Sequence, residues 1–225
     1  MEALRVDICA YTASFRVPGM MGYQITSPVP PPSTIYGLLA AACGREVTPE
    51  ETWVAYRFEY EALAQDLEKI IGFGEGGPRW DKKLNAVNTV PITRQFLYNP
   101  RLILYIKPGE VAGAFRHPRY SLLLGRSQDV AYVDRFKQTE LVPVSEAQMA
   151  GVLLPFPAPG IPSRIFSFPT YFHMATRRAL AVKPFHVLDV AQRPQTVSIP
   201  NLLYREQGEA NSLAVPLFDL KVLAP

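Results

Sequence analysis

The chain has 225 residues, 48% of them hydrophobic, and its 23 Lys+Arg against 20 Asp+Glu give a formal net charge of +3. That is enough length and apolar content for one large domain or two small ones with a substantial core, while two cysteines, Cys9 and Cys43, supply neither a disulfide framework nor a zinc spacing. No apolar run approaches the roughly 20 residues of a membrane span and no signal peptide opens the chain, so a reducing cytoplasm and no membrane partner are expected.

Leu4, Val6, Ile8, Ala10 and Thr12 alternate with Arg5, Asp7, Cys9 and Tyr11, the period of a strand with one buried face. The stretch FRVPGMMGYQITSPVPPP that follows is denied regular structure by its glycines and prolines and reads as a loop carrying Arg16. Ser33 then caps a predicted helix whose apolar residues Ile35, Leu38, Leu39, Ala42 and Cys43 form one stripe, ending at Gly44. Pro30 to Pro32 stiffen the entry, and the unpaired N–H groups of the first turn make a seat for a phosphate. Thr48, Pro49 and Glu51 form a capping box that predicts a short helix through about Tyr56. Leu63, Leu67, Ile70 and Ile71 also fall at helical spacing, closed by Gly72.

The run GFGEGG satisfies the GxGxxG pattern but lacks the strand before it and the helix after it that a dinucleotide site needs, so it reads as a loop into Arg79, Trp80, Lys82 and Lys83. Two strands, about Val90–Tyr98 and Leu102–Lys107, are predicted to pair as a hairpin about Asn99-Pro100. A helical piece over Val111–Arg116 stops at Pro118, a turn falls at Gly125, and from Leu141 onward repeated prolines predict short extended segments. The order fits an α+β fold, a βαββαβ unit with an antiparallel sheet and helices on one face. Charge is uneven along it: residues 1–78 hold 5 basic and 10 acidic side chains, residues 79–137 hold 11 and 4. A basic block of that kind attracts phosphates when it is not simply a solvated face.

Three stretches in order, SFRVPGMMGYQITSPVPPPSTIYGLLAAACG, PITRQFLYNPRLILYI and HPRYSLLLGRSQDVAYV, resemble the fifth family of CRISPR-associated (Cas) proteins, in its type I-B-like branch. The resemblance implies a repeat-associated mysterious protein (RAMP): a ferredoxin-like domain over residues 1–140 of the kind found in RNA-recognition motifs, with a β-rich extension over 141–225. It implies a hairpin thumb, here about Thr89–Lys107, and a noncatalytic subunit of a Cascade complex that holds the 5′ handle of a CRISPR RNA. The partners implied are the backbone and large subunits of that complex, with target DNA reached only through it; no cofactor or metal is expected.

Residues suited to such a task are present. Arg94 with Gln95 and Arg126 with Ser127 are polar pairs in apolar surroundings, although a salt bridge to Asp129 or Asp134 is an equally good reading of either arginine. Arg16, Ser33, Thr34 and Tyr36, and more weakly Arg79, Lys82 and Lys83, complete the candidate RNA-binding set. Relatives that cut CRISPR precursor RNA without metal suggest the alternative of an endoribonuclease using Tyr36 and His117, but Arg116 beside His117 is a poor proton donor. His173 and His186 read as structural, and a plain assembly subunit whose arginines face protein is the third reading.

Overall fold

A computed structural model describes residues 1–20, 23–71, 89–176, 178–208 and 213–224. Among these, the principal elements are β1 (Glu2–Ala10), α1 (Pro32–Cys43), β2 (Val54–Glu59), β3 (Ala62–Ile71), β4 (Thr89–Tyr98), β5 (Arg101–Ile106), α2 (Glu110–Gly113) and β6 (Val130–Pro143). They continue with β7 (Val152–Pro155), β8 (Arg164–Pro169), β9 (Val182–Leu188), β10 (Leu203–Glu206) and β11 (Val215–Phe218).

Six strands close on themselves in the order β1-β5-β2-β11-β10-β6, with β6 returning to pair β1 and every pairing antiparallel. Within this barrel the run β6-β1-β5-β2 has α1 as the connection from β1 to β2, while α2 and a single 3-10 turn (Ala114–Arg116) connect β5 to β6. The second half of the chain is β-rich, and β6 runs unbroken through residue 140, pairing β1 with its first part and β10 with its last. A three-stranded sheet, β7-β9-β8, lies beside the barrel, its Leu153, Phe168 and Phe185 sharing a core with Val6, Ile8, Tyr56, Leu104 and the α1 stripe.

The alternation in β1 has a second half that its apolar residues did not reveal. Val6, Ile8 and Ala10 meet α1 as expected, but the other face is buried too: Ala3, Ala55, Ile103, Tyr105, Leu141 and Val215 form a separate cluster drawn from the ring strands. Arg5 and Asp7 lie on that inner face, buried because they neutralise each other. Arg5 binds Asp7 Oδ1 through Nε at 2.7 Å and Glu206 Oε2 through Nη1 at 2.7 Å. Glu206 also accepts from Tyr105 Oη (3.0 Å), Thr139 Oγ1 (2.8 Å) and Lys137 Nζ (2.7 Å).

Three expectations are corrected. The strands over 89–98 and 101–106 exist but do not pair with each other: β5 enters the ring between β1 and β2, whereas β4 pairs β3 residue for residue from Ala62↔Tyr98 to Ile71↔Thr89. The hairpin is therefore β3–β4, and the chain passes from one sheet to the other at Asn99, whose φ is 47°. Residues 62–71 are accordingly strand rather than helix, their helical spacing overridden by that ladder. Glu51 does reach back to the Thr48 N–H (3.0 Å) in the manner of a capping box, but the turn is followed by β2 rather than a helix.

A candidate nucleic-acid interface at the start of the first helix

The proline run ends in α1 two residues earlier than the sequence suggests. Pro31 is the N-cap (φ −59°, ψ 152°), and its carbonyl accepts from the Thr34 N–H (2.9 Å) and the Ile35 N–H (3.4 Å). Ser33 sits in the first turn and caps nothing, because the fixed proline φ starts the helix without a side-chain acceptor. The run is fastened from beneath, where buried Tyr56 donates its hydroxyl to Pro30 O at 3.0 Å. At the other end Gly44 takes φ 73°, and the N–H groups of Arg119 and Tyr120 bond Ala42 O and Ala41 O, at 2.9 and 3.0 Å.

A cavity of about 370 Å³ opens at the helix start, lined by Arg16, Ser33, Thr34, Arg94, Gly125 and Arg126 among others. Each side chain arrives by a different route. The isolated bridge Arg16↔Thr26 folds the loop back on itself; Arg94 stands on β4, where it pairs Gln24 in parallel register; Arg126 follows Gly125, whose φ is 114°. Glycine is obligatory at that turn, since a Cβ there would lie 2.0 Å from Ser14 O.

The cations are partly spent within the protein. Arg126 donates from Nε and Nη2 to Asp129 (3.0 and 2.9 Å) and from Nη1 to Glu68 (2.7 Å), and its guanidinium lies 5.5 Å from the Phe96 ring centroid. Arg94 spends only Nε, on Glu68 Oε2 at 2.6 Å, leaving both terminal nitrogens without a protein partner among the described residues. Exposed Arg16 has no ion pair there. Burial would raise the Glu68 carboxyl, but the two arginines hold it below its usual range. Three guanidiniums line the cavity, and Glu68 and Asp129, which hold two of them, are not among its lining residues.

The other predicted residues are placed elsewhere. Gln95 is scaffold: its Nε2 donates to Tyr23 Oη (3.0 Å) and its Oε1 accepts from the Thr26 N–H (3.3 Å). Ser127 is exposed on the turn beyond Arg126, Asp134 lies 4.0 Å from Arg101 rather than at either candidate arginine, and Arg79, Lys82 and Lys83 lie outside the described residues. Tyr36 is corrected outright. It is 2% exposed, donates its hydroxyl to Thr52 O (2.9 Å) and packs edge-on against Tyr171, so it is neither a stacking platform nor a proton donor. Burial pushes its phenol further above the ordinary value. His117 is exposed at the end of the 3-10 turn. His186 is structural, accepting from the Ala158 N–H (3.2 Å) and lying 2.8 Å from Ser163 Oγ, whereas half-exposed His173 lies 3.5 Å from Glu46. Among the described residues no group of three His, Cys, Asp or Glu is arranged to hold a metal ion.

Sequence reasoning missed Glu68, the carboxylate that ties Arg94 to Arg126, because a helical reading of 62–71 pointed it elsewhere. Asp66 and Glu68 do alternate, but only the β3–β4 pairing brings their strand beside Arg94.

The family described as CRISPR-associated protein (Cas_Cas5) has a model that matches residues 3–186. A chain of a "CRISPR RNA-guided surveillance complex" superposes with a TM-score of 0.56 at 19% identity, over 87% of this chain and 91% of that one. A chain in the "Cryo-EM structure of the Type III-B Cmr-beta bound to cognate target RNA" does so with 0.54 at 12% identity, over 86% of each. The mixed, mostly stranded fold with few helices is thus shared with both. No curated protein sequence matches the chain.

Proposed function

The chain belongs to the Cas_Cas5 family of CRISPR-associated proteins, and from that premise we propose that it is a noncatalytic subunit of a type I Cascade interference complex that holds the 5′ handle of the CRISPR RNA. The strand run β6-β1-β5-β2, with α1 and α2 as its connections, supports reading the core as ferredoxin-like. The hairpin β3–β4 is then the thumb, which docks the backbone subunit, while the large subunit and target DNA are met through the assembled complex in the cytoplasm.

One observation carries the RNA reading. Arg16, Ser33, Thr34, Arg94 and Arg126, drawn from four separate segments, line a single cavity at an uncapped helix start. Single-stranded RNA held in one conformation needs such a set: cations and hydroxyls on phosphates, over a floor that does not move, the Thr34 and Ile35 N–H groups being already taken by Pro31 O. Arg94 and Arg16 have donors to spare for phosphate oxygens, whereas Arg126 chiefly holds Arg94 and the Gly125 turn in place through Glu68 and Asp129. The prolines pre-set the seat, so no ordering cost falls on binding there. The burial of Tyr36 supports the noncatalytic reading, because it removes one of the two proton-transfer groups the nuclease alternative requires.

The test is binding of the repeat-derived 5′ segment of the guide across a salt series. For a single strand log K falls with log salt by about 0.7 per phosphate neutralised, so Arg94→Ala and Arg16→Ala each flatten the slope by about that amount, and the RNA stays intact throughout. Absent binding, or a slope unmoved by both variants, overturns the handle reading in favour of an assembly subunit; cleaved RNA overturns the noncatalytic one.

A further inference from the structure

The cation-lined cavity does not end at the helix start. Its neighbour, about 290 Å³, shares Thr34 and Gly125 with it and runs along α1 past Gly37 and Ala41. From there a third cavity of about 470 Å³ continues over Ala40 to Gly44. This last one is mostly apolar, with Arg45 and Glu46 as its charged lining residues. Beside the buried Tyr36 and Tyr171 its walls carry two rings and a thioether that the fold does not bury: Tyr120 is 61% exposed, Phe172 47% and Met174 60%. Phe172 lines both end cavities, so a ligand phosphate against Arg94 and a ligand ring against Phe172 would be adjacent parts of one molecule.

The wall that carries Phe172 is held, not loose. Tyr171 Oη donates to the Glu46 carboxylate, which also accepts from the Met174 N–H at 3.2 Å and lies 3.5 Å from His173 Nδ1. Tyr120, which lines the same cavity, has its backbone tied to α1 by the bond of its N–H to Ala41 O. Two exposed aromatic residues lining one mostly apolar space, next to guanidiniums with unused donors, complement an anionic chain that carries flat apolar rings. An acidic peptide would match the charge alone, whereas a single-stranded nucleic acid matches both features.

Resting on the handle reading above, we propose that the third cavity receives one unstacked base of the same RNA strand, held against Phe172 and Tyr120, while the backbone of that strand lies on Arg16 and Arg94. The site reads a base by shape and stacking rather than by charge.

The experiment scans the 5′ RNA segment with single abasic substitutions against the full chain, its Phe172→Ala variant and its Phe172→Trp variant. In the native chain, removal of one particular base weakens binding about tenfold, the size of a lost stacking contact. Phe172→Ala costs the same factor with intact RNA and shows no further loss with that abasic RNA. Phe172→Trp retains the discrimination, and the salt slope is unchanged in both variants because no phosphate contact is removed. Losses that multiply, or no position that stands out while salt-dependent binding persists, overturn the base pocket and leave the handle reading intact. Phe172→Ala that weakens capture of a partner subunit but not of RNA also overturns it, assigning the cavity to protein. Failure of every RNA to bind the native chain removes both together.

Discussion

At the scale of single residues, the molecule uses charge in two distinct ways. Inside the barrel Arg5, Asp7 and Glu206 are almost fully buried and saturate one another, so removal of one member strands the others. For Glu206 burial by itself would raise the carboxyl, but hydrogen bonds from Lys137, Thr139, Arg5 and Tyr105 prevail and hold it at about 2, below the ordinary 4.5. A depressed carboxyl contributes stability that is present above the unfolded value and is lost as pH falls through 4.5 toward about 2. Glu206→Gln is therefore expected to lower unfolding free energy by about 3–5 kcal/mol at pH 7, with the gap to the native chain closing in denaturant melts taken below pH 4.5. Equal gaps at neutral and acid pH would show that the lost charge is not the cause. At the helix mouth, by contrast, Arg94 and Arg16 keep donors in reserve. The sequence offered both arginines and even named Asp129 as a rival partner of Arg126, but it could not tell that Glu68 lies between Arg94 and Arg126, because that contact spans 26 and 58 residues of chain.

At the scale of elements, what was legible was whatever is set by local chemistry. The proline entry, the apolar stripe and the Gly44 stop fix α1; alternation fixes β1; Pro118 and Gly125 bound the pieces around them. Partner choice was not legible. β4 and β5 are adjacent in sequence and both apolar, yet a positive φ at Asn99 sends them to different sheets, and β3 hid behind leucines and isoleucines at helical spacing. Those leucines now have a different meaning. Leu63 is 52% exposed and Leu67 66%, on a strand that pairs β4 and no other named strand. They contribute little to the fold and present an apolar surface of the kind a neighbouring subunit covers. Leu67→Asp should leave the thermal melt of the isolated chain unchanged within about 0.5 kcal/mol while weakening co-purification with the backbone subunit proposed above as its partner. A large loss of stability instead would mean that the hairpin packs on its own domain.

At the scale of the whole molecule, the barrel is built from both ends of the chain. Arg5 and Glu206, 201 residues apart, meet across its interior, and β10 and β11 supply the strands that join β6 to β2. A chain cut after Ser198 would lose those strands, open the ring and leave Arg5 without Glu206. We expect such a truncation to show no cooperative unfolding transition by circular dichroism, whereas a sharp transition near that of the intact chain would make the ring dispensable. The same closure sets a timetable for the cell. At about 5–20 residues per second of translation, β1 waits roughly 10–40 s after leaving the ribosome before β11 exists to complete its enclosure. The nascent polypeptide must hold an arginine and an aspartate open to water during that interval, so the closed barrel that a larger particle would receive forms only once β11 has been made.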